Sequence, residues 1–176
     1  MPGSRKGSFL PISPYMTSLS QFLKTVKIFA NLTDEELDLL APLFQIKNTK
    51  NKECVIIEGA VSDLFYVIRT GHFNVAKGPK ESFLTLLGPK EYFGEASLFH
   101  DVKRTATVTA TEDSQLLLLH RDRFQQFLLS YPLAANRILF QMLKEVFFRL
   151  EETSNELQMT RGGPNIAENA INKLLR

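Results

Sequence analysis

The sequence predicts an α+β fold: an antiparallel β-barrel of the jelly-roll type, flanked by an N-terminal helical bundle and by C-terminal helices, the last of them long. Three observations predict it. Apolar residues recur at helical spacing from residue 18 to 43, switch to a period near two in short runs between 53 and 120, and return to helical spacing from 121 to about 160. Short strands about ten residues apart, separated by Gly, Pro, Asn and Asp, favour an antiparallel barrel over a parallel sheet.

The bulk properties agree with one folded domain. A chain of 176 residues with 44% hydrophobic and 23% charged residues is long enough for a core and ordinary in composition, which excludes collagen-like and disordered classes. Twenty-one basic against 19 acidic residues leave a net charge of +2, too balanced for wholesale electrostatic binding of nucleic acid or an anionic membrane. Any phosphate recognition is therefore local. A single cysteine, Cys54, forms no intrachain disulfide, and the sequence lacks both a signal-peptide stretch and a run long and apolar enough to span a membrane. The expected compartment is the cytoplasm.

Each element follows from local pattern. Residues 1–17 mix Pro, Gly, Ser and basic residues without periodicity and are expected to be a flexible tail. From Ser18, Leu19, Phe22, Leu23, Val26 and Phe29 line one helical face. In NLTDEELDLL, Thr33 caps a second helix while Glu36 reaches back to the cap, with Leu37, Leu40 and Leu43 as its buried stripe. Strands are expected at 53–59, 64–71, 72–78, 82–88, 104–110 and 114–120. A helix follows from Arg121 to Ser130, and Pro132 suits the first turn of another that runs to about Thr160. On it Leu139, Leu143, Val146, Leu150, Thr153 and Leu157 make a heptad seam, which serves either packing on the chain's own barrel or self-association. RGGP (161–164) ends the helix, and residues 161–176 read as a linker and a short amphipathic segment, too short for a DNA-binding winged helix.

The chemistry concentrates in FGEASLFHDVKRTATVTA, residues 93–110. Gly94 permits tight backbone geometry before a short helical turn near Glu95, whose N–H groups attract an anion. Arg104 offers a planar fork matched to two phosphate oxygens and keeps its charge at ordinary pH. Glu95 is negative and only accepts, so it suits a hydroxyl beside the phosphate. A sugar phosphate with a free neighbouring hydroxyl meets these demands, and a cyclic nucleotide is one.

FGEASLFHDVKRTATV closely resembles, without a gap, the phosphate-binding cassette of the cyclic nucleotide-binding domain family, which includes catabolite activator protein-like and protein kinase A regulatory subunit-like members. LKTVKIFANLTDEELDLLA resembles the family's N-terminal bundle, Gly59 and Gly71 stand at its barrel turns, and FYVIRTGHFNV is similar to the strand pair between them; the resemblance covers residues 18–160. It implies a cAMP or cGMP ligand and no cofactor, with Glu95 on the ribose 2′-OH, Arg104 on the phosphate, and backbone N–H groups around Ala96, Ser97 and Thr105 completing the cradle after Gly94. The Thr105 hydroxyl permits contact with a syn guanine, although the family's base rate leans to cAMP. The resemblance also implies that the long helix closes as a lid, through Arg149 by gapless alignment or Thr153 by chemistry, and that an effector protein or domain takes the signal; the heptad seam adds a homodimer through the same helix as one of its two readings.

Glu95 and Arg104 as a simple salt bridge, or a ligand-free interaction or dimerisation scaffold of the same fold, would use the same elements. A jelly-roll enzyme would need clustered metal ligands, and His72, His100 and His120 lie far apart without ligand spacing. The chain is therefore expected not to be an enzyme. Cys54 reads as a core thiol, Phe93 as core, and Thr107 and Thr109 as ordinary strand residues.

Overall fold

The computed structural model describes residues 14–78 and 82–161. It opens with α1 (Pro14–Lys24), which starts inside the segment expected to be a tail, with proline at its first position where the missing N–H costs nothing. Residues 1–13 lie outside the described residues, as do the end of the RGGP break and the segment after it. A 3₁₀ turn (Lys27–Phe29) leads to α2 (Asp34–Leu40), whose start carries the expected capping box: the Glu36 amide donates to the Thr33 hydroxyl (3.2 Å) and the Thr33 amide to the Glu36 carboxylate (2.9 Å).

Eight strands follow. They are β1 (Gln45–Thr49), β2 (Cys54–Ile56), β3 (Leu64–Thr70), β4 (Phe73–Lys77), β5 (Ser82–Leu87), β6 (Tyr92–Phe93), β7 (Thr107–Ala110) and β8 (Ser114–His120). They form two antiparallel sheets of four, ordered β1-β8-β3-β6 and β2-β7-β4-β5. Sequence periodicity anticipates six of the eight. QIKNT carries one apolar residue and β6 is two residues long, so neither presents a readable alternation. The strand expected from Arg104 begins only at Thr107, which leaves Arg104 and Thr105 in an irregular segment at the strand's mouth.

The central strands of the first sheet, β3 and β8, are buried on both faces, and strand alternation decides which residue goes where. Tyr66, Ile68, Phe93 and Leu116 turn toward the second sheet, meeting Ile56, Phe73, Val108 and Ala110. Phe65, Val67, Leu117 and Leu119 turn the other way and pack against the helices, with Phe29 edge-on to Phe65 at 6.5 Å. Cys54 departs from expectation. It is exposed, because a register shift between Cys54 and Ile56 rotates it off the face that Ile56 buries; its thiol donates to the Ile56 carbonyl (3.1 Å).

Helix α3 (Arg121–Ser130) matches its expected bounds, and α4 (Pro132–Arg161) starts at the expected proline. Helix α4 lies on the N-terminal bundle by Ala134, Ile138 and Met142, held by Lys27–Glu145 (2.8 Å), Asn31–Gln141 (3.2 Å) and Arg137–Glu36. The heptad seam is on a different face. Leu143, Val146 and Leu150 are half or more exposed, so the seam does not pack on the chain's own barrel. Among the described residues no helix is long and apolar enough to cross a membrane.

Acid should loosen this fold through a few carboxyls. Asp63 is held below its ordinary pKa chiefly by a hydrogen bond with His120, and Asp113 chiefly by Lys50, with the Asn51 amide next. A carboxyl whose folded pKa is depressed contributes stability above the unfolded value, about 3.9 for Asp, and loses it as pH falls through the lower folded value. The melting temperature is expected to fall as pH drops below about 5 and through the Asp range, and Asp63→Asn to fall less over the same interval. Parallel curves for the two proteins would exclude Asp63 as a contributor.

Candidate functional site

A cavity of about 800 Å³ lies between the second sheet, the segment 91–106 and α4. Gly94, Glu95, Ala96, Ser97, Arg104 and Thr105 all line it, joined by Arg149 from α4. The local sequence explains how they converge. Gly94 sits in the left-handed region (φ +77°) and turns the chain from β6 into the 3₁₀ turn Glu95–Leu98. A Cβ on Gly94 would meet the Arg104 guanidinium and stand 3.1 Å from the Leu64 carbonyl, so the glycine gives room as well as conformation.

Arg104 is only 7% exposed. Its Nη2 donates to the Leu64 carbonyl (2.5 Å), its guanidinium lies 5.8 Å from the centre of the Tyr66 ring, and its Nε is buried without a partner. Burial draws its pKa below the usual arginine value, against the pull of Tyr66, Asp63 and Glu95. Arginine stays charged under such a shift. Ser97 is fully buried. Its amide donates to the Gly94 carbonyl (3.1 Å), which closes the 3₁₀ turn and takes that N–H out of the expected cradle, but its hydroxyl has no partner. Two buried donors without acceptors thus belong to residues lining one cavity, a costly arrangement unless a ligand supplies the acceptors.

Glu95 and Arg104 do not pair. Glu95 instead accepts from Arg149 Nη1 (3.0 Å), 54 residues away on α4, and Arg149 also lies 5.8 Å from the centre of the Tyr92 ring. Burial pushes the Tyr92 phenol up to about 12, so it stays protonated beside this pair. Thr105 is exposed at the cavity, whereas the Thr107 hydroxyl is engaged by the Glu58 amide (3.1 Å).

A family model described as "Cyclic nucleotide-binding domain" matches residues 46–131. The chain is 31% identical to the cyclic AMP receptor protein of Thermus thermophilus over 159 residues, covering 88% of this chain and 72% of that protein. It belongs to the cyclic nucleotide-binding domain family. It is also 35% identical over 107 residues to the cAMP-dependent protein kinase regulatory subunit of Yarrowia lipolytica, covering 61% of this chain and 28% of that subunit. Among solved structures it resembles the Thermus thermophilus catabolite activator protein, with a TM-score of 0.67 at 27% identity over 76% of this chain and 62% of that one.

Of the residues expected at the site of this cyclic nucleotide-binding domain, the six cassette residues and one of the two lid candidates line the cavity. Arg149 reaches the cavity; Thr153 does not line it, and its hydroxyl donates to the Arg149 carbonyl (2.8 Å) in the back-bond common to helical threonines. Glu152 lines the cavity and was missed, although a position three residues from Arg149 shares its helical face. Tyr92 was missed too, for want of any motif. Phe93 is core, as expected, stacked on Tyr66 at 4.9 Å. His72 and His120 are hydrogen-bonded to Glu112 and Asp63, and no metal-binding cluster occurs among the described residues.

Proposed function

We propose that this domain is a cyclic nucleotide sensor: it binds cAMP or cGMP in the cavity and signals through its C-terminal helix, without catalysis. The observation that carries the reading is the pair of buried, unpartnered donors, Arg104 Nε and Ser97 Oγ, on residues lining a cavity of nucleotide size. Arg104 binds the phosphate, aided by the Ser97 hydroxyl and by backbone N–H groups of Ala96 and Thr105. Glu95 accepts the ribose 2′-OH while one of its oxygens keeps Arg149, so that ligand and lid share a carboxylate with lone pairs for both. The names of the two relatives favour cAMP, and Thr105 leaves cGMP open to the pocket.

Helix α4 serves two ends in this reading. Arg149 bridges it to the nucleotide site, and the exposed seam Leu139, Leu143, Val146 and Leu150 is the face a second copy would cover. An effector protein or domain takes the output; by linkage it responds only as far as the ligand prefers one helix position over the other.

Thermal shift with cAMP, cGMP and 5′-AMP tests the reading. A cyclic nucleotide at a hundredfold over its Kd stabilises by about 2.7 kcal/mol, and the linear nucleotide by far less. No shift with either cyclic nucleotide would leave the ligand-free dimerisation scaffold. Within the same assay, Thr105→Ala is expected to weaken cGMP by about 1 kcal/mol and spare cAMP. Equal losses would mean that Thr105 reads neither base.

A further inference from the structure

We infer that Arg121 is a positioning residue for the phosphate cradle: it bolts the loop 94–101 to the first residue of α3 and so holds the cradle in its binding shape. The inference rests on the nucleotide reading of the cavity. Arg121 lies outside the cavity lining and opens α3, yet three of its groups reach toward the site. Its Nε donates to the Ser97 carbonyl, and its Nη1 to the Asp101 carboxylate (2.6 Å). Its amide donates to the Asp63 carbonyl (3.0 Å), next in sequence to the Leu64 carbonyl that receives Arg104.

The geometry distinguishes this from a surface ion pair. The Arg121 side chain is 17% exposed, while Asp101 is largely in water, so Asp101 alone is a weak reason to draw a guanidinium inward. The stronger contact is with the Ser97 carbonyl, in the turn that presents the buried Ser97 hydroxyl. A planar fork bonding Ser97 through Nε and Asp101 through Nη1 ties the end of that turn and the loop that follows it to α3 at once. Apolar packing continues the joint, with Phe99 edge-on to Phe124 of α3 at 6.4 Å and Leu98 buried in the same core as Phe124. Adjacent carbonyls at the start of β3 are thus held by the Arg104 side chain and by the main-chain amide of residue 121, while the Arg121 side chain holds the loop. Any displacement of the loop on phosphate capture pulls the start of α3 with it.

A double-mutant cycle on the full chain tests this, with cAMP affinity measured by calorimetry for wild type, Arg121→Gln, Arg104→Ala and the double variant. Arg121→Gln is expected to weaken cAMP about tenfold, the loss of one charge-assisted hydrogen bond. Added to Arg104→Ala it should cost less than about threefold more, because a misplaced cradle matters little once its arginine is gone. Arg121→Lys, which reaches Asp101 but lacks Nε, should recover only part of the loss. Wild-type affinity in Arg121→Gln, full additivity, or full recovery by lysine would each overturn the inference. Hydrogen exchange on the ligand-free protein supplies an arm independent of nucleotide. Amides 96–99 should exchange about tenfold faster in Arg121→Gln while those of β3 and β8 do not change, and unchanged 96–99 amides overturn it equally. Failure of the wild type to bind either cyclic nucleotide would count against the nucleotide reading instead, with the exchange arm still deciding whether Arg121 holds the loop.

Discussion

Arg104→Ala is expected to lose roughly 2–4 kcal/mol of cyclic nucleotide affinity, about 30- to 1,000-fold. The side chain is almost wholly buried, with one guanidinium nitrogen engaged by the Leu64 carbonyl and another, Nε, unpartnered. Truncation removes the only buried cation among the described cavity-lining residues and the bidentate geometry that a phosphate requires. It also strips the Leu64 carbonyl of its donor, so a stability loss of about 1–3 kcal/mol accompanies the affinity loss. Calorimetry reads the first and urea unfolding the second. Arg104→Lys separates charge from fork: it should retain part of the affinity through a point charge, and stay well short of wild type. Unchanged binding in Arg104→Ala would remove the phosphate assignment.

Gly94→Ala is expected to be the most damaging single methyl in the cassette, costing about 2–3 kcal/mol of stability and at least tenfold in nucleotide affinity. Part of the cost is conformational, since an alanine at φ +77° pays the left-handed penalty of about 1–2 kcal/mol. The rest is contact, because the new Cβ falls on the Arg104 guanidinium and against the Leu64 backbone, the neighbour that cannot swing aside. Gly59→Ala is the control. It has the same sign of φ (+82°) and nothing within 4 Å of its Cβ, so only the conformational share applies. Equal losses at the two positions, measured by urea unfolding, would show that the close approach to Arg104 carries no energy.

Local signals in the chain were read where their causes are local. Thr33 and Glu36 are three residues apart, and a capping box involves nothing else, so the start of α2 was legible. The bounds of α3, and the proline opening α4, follow for the same reason. The cassette also lies in one continuous run, so that its glycine, acid, arginine and threonine were identifiable together and all line the cavity. Elements with weak local pattern were not legible: β1 is polar, β6 is two residues long, and the first turns of α1 lie in a stretch without periodicity.

What the sequence by itself determined, then, is the family, the order of helices and of six of the eight strands, and the residue types that line the cavity, because each rests on short-range spacing or on a contiguous motif. Tertiary structure alone decided the partners. Arg104 could have paired with Glu95 nine positions away; instead it donates to the Leu64 carbonyl, and Glu95 binds Arg149 from a helix 54 residues on. The same holds for Cys54, turned outward by a bulge, for the α4 seam, left exposed because Ile138 and Met142 take the bundle-facing side, and for Arg121, whose reach to Ser97 and Asp101 has no sequence signature. A charged side chain satisfies itself with whatever acceptor the packed backbone brings within about 3 Å, and packing, not spacing along the chain, chooses that acceptor.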